Sequence, residues 1–473
     1  MKQLLSELEA VLGGDRVRTG ALDRMLYAKD AGVTPGDPGV VVLPETTAEV
    51  SAVVRIAADH SAPVVARGAG TGLAGGAVPP SGSVVVVLTR MNAIEDVDVS
   101  NGTAWVGPGV INLDLSNHTS RFGLHFAPDP SSQSACTIGG NVASNSGGPH
   151  CLAEGSTVNH VLAIEFVTAA GEVLVAGGPS PDPVGLDVRG VMVGSEGTLG
   201  IVTRVLVRLT PDPPAVRTML FGFATVEAAA ATVSGVIAAG VIPAALEMMD
   251  RPMTQAVEKF VGAGFPTDAA AVLLAEVAGD PDAVEAERAL VEEVAADNGA
   301  TSARTAEDSV ERDALWLGRK SAFGAVAQAA PDYYLHDTVV PRTRLVEVMS
   351  RLYALAEEHD VLMLNVFHAG DGNLHPLMAF DSSEPGMVDR VKTVGEEIVR
   401  LSVEVGGVLS GEHGIGLEKR DLMPLLFDDV ALDAQARLRE AFDPKGLLNP
   451  DKVLPEGSRC FDFGRAVPDG AWV

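Results

Sequence analysis

The sequence predicts an α+β protein built from two unlike domains, and three observations carry that prediction. Short valine-rich β-type runs dominate the N-terminal part of the chain. A proline cluster, LTPDPPAVRT at 209–218, then stiffens the backbone and marks a boundary, because proline cannot donate to a strand ladder. Beyond it, alanine-rich helical patterns alternate with apolar strand runs, a rhythm of ferredoxin-like character. The chain has 473 residues, 47% of them hydrophobic, which is ample for two or three cores.

In chain order, LLSELEAVLGG has helical apolar spacing and a stop at Gly13, and TTAEVSAVVRIAADH opens on a capping box from Thr46 to Glu49. GVVVLP (39–44) and APVVA (62–66) flank that second helix and suggest a βαβ start. Further runs at 83–89, 103–109, 162–177 and 199–209 read as meandering strands. Past the prolines, helices are expected around 226–240, 283–298, 343–359 and 385–405, with strands at AAVLLAEVAG and VLMLNVFHAG. The expected organisation is a helical segment at 1–35, a first domain at 36–212, a second at 213–455 and a tail at 456–473.

Lys and Arg total 34 against 63 Asp and Glu, a formal charge of −29. Such a field repels nucleic acid and anionic membranes. No window approaches the roughly 18–20 apolar residues of a membrane span, and Glu7 and Glu9 interrupt what a signal peptide would keep apolar. A cytoplasmic location is expected, with any membrane attachment left to partner subunits. Cys136, Cys151 and Cys460 form no C-x-x-C pair, so the chain cannot assemble a four-thiolate iron–sulfur cluster by itself.

RGAGTGLAGGAVPP (67–80) satisfies G-x-G-x-x-G through Gly70, Gly72 and Gly75. A nicotinamide-type turn must be followed by a helix whose N-terminus receives the pyrophosphate. Here Pro79, Pro80 and a valine run follow, which predicts a strand. The glycines suit instead a loop whose backbone N–H groups converge on a phosphate-bearing cofactor, against the simpler reading of a mobile loop. Two more loops rich in small residues, APDPSSQSACTIGGNVASNSGGPHCLAEGST (127–157) and VMVGSEGTLGIVT (191–203), favour the cofactor.

NVFHAGDGNLHP (365–376) sets His368 and His375 on either side of Asp371-Gly372, a hairpin dipeptide that can bring the two imidazoles together. A third ligand is needed for a divalent cation, and SGEHGIG (410–416) offers Glu412 beside His413. Two histidines and a carboxylate suit Zn, Mn or Fe; satisfied core histidines are the alternative on spacing alone.

The three glycine loops resemble the FAD domain of the vanillyl-alcohol oxidase type of flavoproteins. HAGDGNLH followed by GEHGIG resembles the C-terminal cap of FAD-linked D-2-hydroxy acid dehydrogenases. The resemblance runs from about residue 20 to residue 464 and includes ALEMMD (245–250), LWLGRK (315–320), PDYYLHD (331–337) and FDPKGLLNPDKVLP followed by RCFDFG. It implies a two-part FAD-binding domain with a ferredoxin-like cap. FAD contacts are implied at Arg67, Gly68, Ala69, Gly70, Thr71 and Gly72, and at Pro128, Asp129, Thr137, Gly139, Gly140, Asn141, Ser144, Gly147 and Gly148. Glu196, Gly200 and Ile201 complete that set. Thr71 stands where relatives with covalent flavin often have His, so FAD is expected to be non-covalent.

The same resemblance implies a metal on His368, His375 and Glu412, His413 as the base, and Arg319 with Lys320 as substrate-binding cations. It lies closest to the glycolate-oxidising branch, with D-lactate oxidation as the alternative. Where the hydroxyglutarate branch has a lysine and an asparagine for a distal carboxylate, this chain has Leu335 or His336, and Leu377, so a small 2-hydroxy acid is expected. A second flavin-type subunit and an iron–sulfur subunit are the electron acceptors that the resemblance implies. The alternatives are a non-redox enzyme of the same fold, similar to alkyldihydroxyacetonephosphate synthase, and a non-catalytic scaffold subunit. The former would need a pocket for a lipid tail, and the latter should have lost the His and Glu residues that this chain retains.

Overall fold

A computed structural model describes residues 1–180, 182 and 184–456. The RCFDFG stretch, Cys460 and the rest of the expected tail beyond Glu456 lie outside the described residues.

The chain begins with the small sheet that the valine runs predict, in the order Val17–Arg18, Val40–Val42, Val84–Val87, Val64–Arg67. Val40–Val42 and Val64–Arg67 flank the helix Thr47–Asp59 as expected, but Val84–Val87 inserts between them, parallel to both. Its four valines are all buried, since strands covered on both faces read as continuous apolar runs. Helix Lys2–Leu12 packs Leu4, Leu8 and Leu12 on Val50, Val53 and Ala57 and stops at Gly13 with φ 81°. Thr46 caps the next helix by accepting from the Glu49 amide, while the Glu49 carboxylate accepts from the Glu45 amide (2.7 Å) and pairs with Arg16 (2.7 Å).

No helix follows the first glycine loop; strand Val84–Val87 does, as Pro79 and Pro80 predict. An antiparallel sheet comes next, ordered Ile94–Asp98, Thr103–Val106, Ile201–Arg208, Val161–Val167, Val173–Gly177.

The C-terminal half is one antiparallel sheet, running Ala300–Thr305, Ala215–Phe223, Ala271–Gly279, Ala245–Asp250, Leu362–His368, Asn373–Phe380, Asp332–Leu335, with Thr338–Val339 also on Asn373–Phe380. Alternation divides its side chains between two cores. Met219 and Phe221 point to a face covered by helices Val226–Ala238, Pro281–Asp297, Leu345–Glu358 and Met387–Glu404. Leu220, Met249, Val366 and Leu377 point the other way, against Met253, Val257, Leu315 and Trp316. Glu247, His368 and His375 share the parity of this second face.

One expectation needs correction. The proline cluster does not end all pairing: Thr210–Pro211 pairs with Leu124–His125, and Ala215–Phe223 starts directly after Pro214. A two-residue ladder tolerates a proline whose missing N–H is not needed. The stretch near residue 449 reaches back to the first half of the chain. Leu448 bridges to Val64 and is buried in the valine core, and Asn449 Nδ2 donates to the Gly76 (2.8 Å) and Glu196 (2.6 Å) carbonyls.

Candidate functional site

The three glycine loops converge on a cavity of about 430 Å³ that the C-terminal sheet closes on one side. Gly68, Ala69, Gly70, Thr71 and Gly72 line it together with Thr137, Gly140, Asn141, Ser144 and Glu196. From the second domain come Lys320, Phe323, Tyr333, Leu335, Glu412 and His413. Gly70 has φ +77°, and a Cβ on Gly68 would lie 2.3 Å from Thr137 Oγ1, so these glycines permit an approach that side chains would block. Such a cradle fits the pyrophosphate of FAD.

Arg67, Gly139 and Gly200 line an adjoining smaller cleft. Other expected contacts do not line the main cavity. The Pro128 carbonyl accepts from Asn112 Nδ2 (2.9 Å), and Ile201 is wholly buried. Gly147 packs against Cys151 and Glu412, and Gly148 against Asp129. Asp129 pairs with His150 (2.9 Å) and Lys320 (3.3 Å). These positions lie beside the loops rather than on the cavity wall.

The hairpin does what its turn dipeptide predicts. His368 pairs with Asn373 and Val366 with His375 across antiparallel strands, and the two imidazoles meet edge to face at 5.0 Å. Glu412 Oε1 lies 3.3 Å from His368 Nε2 and 3.1 Å from His375 Nε2. One donor atom from each lies within 4.8 Å of the others. Glu412 Oε2 is buried with no hydrogen-bond partner among the described residues. Burial alone would depress the His368 pKa, but Glu247 and Glu412 hold it well above its usual value; burial would raise Glu412, but His368 and His375 hold it well below. Two imidazoles and a carboxylate with one oxygen left without a partner among the described residues form a donor set that fits a divalent cation.

Asp337, His375 and His413 make a second compact cluster, but the Asp337 carboxylate is occupied by the amides of Gly411 (2.9 Å) and His413 (3.0 Å) and by Lys419 Nζ (3.4 Å). The His413 ring stacks on His375 at 5.1 Å and faces the cavity. Burial lowers its pKa to about 4 against the pull of Asp337, so the imidazole is neutral near pH 7.

The two expected substrate cations part company. Lys320 lines the cavity, whereas Arg319, 1% exposed, pairs with Glu247 at 2.5 Å and lies 3.5 Å from His368 Nδ1. Arg319 Nε and Nη1 make no hydrogen bond among the described residues. Glu247 and Asp337 were not singled out by sequence reasoning. The available signal was an acidic residue inside the otherwise apolar strand run ALEMMD, and one closing YYLHD.

Comparison with known proteins identifies the family of both halves. The family model described as FAD binding domain matches residues 38–177, and that of FAD linked oxidases, C-terminal domain, matches residues 212–453. The chain is 45% identical over 427 residues, 90% of its length and 86% of the other's, to glycolate oxidase subunit GlcD of Escherichia coli (strain K12). It is 38% identical over 462 residues, 97% of its length and 98% of the other's, to the GlcD subunit of Bacillus subtilis (strain 168). A solved structure of p-cresol methylhydroxylase with substrate bound superposes with a TM-score of 0.82 at 17% identity, covering 96% of this chain and 97% of that one, and so shares the fold.

Proposed function

The chain belongs to the FAD-linked oxidases, and from that premise we propose that it oxidises glycolate, a small 2-hydroxy acid, to glyoxylate with FAD as hydride acceptor. The reaction removes the hydroxyl proton while the α-hydrogen leaves as hydride. His413 carries the reading: it faces the glycine-lined cavity and stacks on His375 of the His–His–Glu cluster. Neutral at working pH, it accepts the hydroxyl proton.

FAD would be held without a covalent link by the loops around Gly68, Gly140 and Glu196, with Thr71 offering no imidazole to link to. His368, His375 and Glu412 would hold Zn, Mn or Fe, and such a cation would lower the hydroxyl pKa. On a protein of charge −29, an anionic substrate needs a local cation. Lys320 supplies one at the cavity wall, and Arg319 adds a second behind His368. Leu335 at the cavity wall offers nothing to a distal carboxylate, which favours glycolate or D-lactate over a dicarboxylic hydroxy acid.

Electrons leave through partner subunits, one flavin-type and one carrying iron–sulfur clusters. The relatives' designation as subunits supports the existence of partner subunits, while their flavin and iron–sulfur content is what the resemblance implies. Among the described residues no helix is long and apolar enough to cross a membrane. The test is steady-state reduction of a dye acceptor: glycolate should give the highest kcat/KM and a chelator should abolish it. A higher kcat/KM for D-lactate would shift the assignment to the alternative substrate, and no turnover with either would reject the reading.

A further inference from the structure

The loop that carries Glu412 and His413 belongs to no helix or strand, yet every backbone N–H of residues 411–416 donates to a side-chain oxygen. The amides of Gly411 (2.9 Å), Glu412 (3.2 Å) and His413 (3.0 Å) all donate to Asp337 Oδ2. Gly414 donates to Ser410 Oγ (3.0 Å), and that hydroxyl in turn donates to Asp337. Ile415 and Gly416 donate to the two oxygens of one other carboxylate, Glu196, at 2.7 and 2.9 Å.

Asp337 and Glu196 come from different halves of the molecule. Asp337 follows the edge strand Asp332–Leu335 of the C-terminal sheet and is wholly buried, with Lys419 Nζ 3.4 Å away. Glu196 stands in the third glycine loop at φ 52°, a left-handed conformation that is costly outside glycine. Its own amide donates to the Ala143 carbonyl (2.8 Å) and its carbonyl accepts from Asn449 Nδ2 (2.6 Å), so the backbone that aims the carboxylate is itself held on both sides. Immediately downstream, the Leu417 (2.8 Å) and Glu418 (3.1 Å) amides donate to Ala74 O in the first glycine loop. A Cβ on Gly414 would lie 2.7 Å from Glu196 Oε1, so the close approach requires glycine there.

We propose that Glu196 is a positioning residue for His413: the FAD-binding half clasps the 415–416 end of the loop with one carboxylate while Asp337 clasps the 411–413 end, setting the proton acceptor in register with the cofactor cavity. The proposal rests on His413 as the proton acceptor. It gives Glu196 a task other than the FAD contact that the sequence implies. The geometry explains why a buried acid sits in an otherwise small-residue loop: two adjacent amides facing one carboxylate fix both the position and the direction of the turn. A misplacement of the acceptor by an ångström is enough to slow proton transfer by a large factor.

The experiment compares wild type, Glu196→Ala and Glu196→Gln as FAD-loaded full-length proteins, by residue-resolved amide hydrogen exchange and by anaerobic flavin reduction with glycolate. In Glu196→Ala the Ile415 and Gly416 amides should exchange roughly tenfold faster or more, while those of Gly411, Glu412 and His413, still on Asp337, keep the wild-type rate. Flavin reduction at saturating glycolate should slow about 10- to 100-fold, with half-saturation unchanged within about twofold. Glu196→Gln keeps one acceptor and should fall between the two; it carries the test should the alanine variant not retain FAD. Unchanged exchange at Ile415 and Gly416, or an unchanged reduction rate, would overturn the proposal. Failure of wild type to be reduced by glycolate would reject the substrate assignment instead, and the exchange pattern would still decide whether Glu196 holds the loop.

Discussion

Glu247 and His368 face each other across adjacent antiparallel strands, and both oxygens of the Glu247 carboxylate lie 2.9 Å from His368 Nδ1. The proton is thereby kept on Nδ1 and Nε2 is turned toward Glu412, the tautomer a metal ligand needs. Arg319, 2.5 Å from the same carboxylate, supplies the charge that makes a buried acid tolerable there.

Glu247→Gln should therefore do two things. Metal affinity should fall roughly 10- to 100-fold, because the imidazole is no longer oriented. Stability should drop by about 3–5 kcal/mol, because Arg319 is left as an uncompensated buried charge. Metal content after gel filtration and urea unfolding would measure both; wild-type values for each would contradict the assigned role.

His413→Ala should separate binding from chemistry. The bound yellow cofactor is expected to remain, while its reduction by glycolate slows about 10²- to 10⁴-fold. His368→Ala should keep FAD but lose the metal as well. A variant of His413 that still reduces its flavin at the wild-type rate would remove it from the mechanism.

The cluster of Asp129, His150, Glu276 and Lys320 joins the two halves and predicts a pH dependence of stability. Burial pulls the His150 pKa down, but Asp129 at 2.9 Å and Glu276 at 3.4 Å raise it to about 10. Its folded-state pKa thus exceeds the unfolded value near 6.5, so the contribution is full below about pH 6.5 and fades as pH rises through about 10. Asp129 is shifted the opposite way: burial raises it, and His150 and Lys320 more than reverse that. Its contribution is present above the ordinary aspartate range, near pH 4, and is lost as pH falls below it. Denaturant midpoints measured from pH 6 to 10 should decline in wild type and flatten in His150→Gln; parallel curves would contradict the linkage.

Gly68→Ala should cost cofactor retention, because the added Cβ would meet Thr137 Oγ1 at 2.3 Å and displace the hydroxyl that caps the Gly140 amide. Acid denaturation of wild type should release free FAD, given Thr71 at the linking position. Flavin that stays with the precipitated chain would show a covalent bond.

What could be read from the sequence was local. The valine strands, the strand after Pro79 and Pro80, and the His368–His375 hairpin each follow from periodicity or turn chemistry within a dozen residues. The residues that orient the site are distant partners: Glu247 is 121 positions from His368, Asp337 is 75 from Glu412, and Glu196 is 219 from Ile415. No short-range pattern registers such pairs. Arg319 and Lys320 show the same limit, since neighbours on one helix point about 100° apart and only the packing decides which reaches the cavity. The return of Leu448 to Val64 was hidden likewise, because a leucine within the DPKGLLNP turn carries no address.

The most direct test of the central claim is anaerobic mixing of the purified FAD-loaded protein with glycolate, D-lactate, L-lactate and D-2-hydroxyglutarate while the visible flavin band is followed. Glycolate should bleach it fastest, D-lactate more slowly, and D-2-hydroxyglutarate least, because Leu335 lines the cavity where a distal carboxylate would need a charged or polar partner. A band that none of the four bleaches would contradict the assignment of this site to 2-hydroxy acid oxidation.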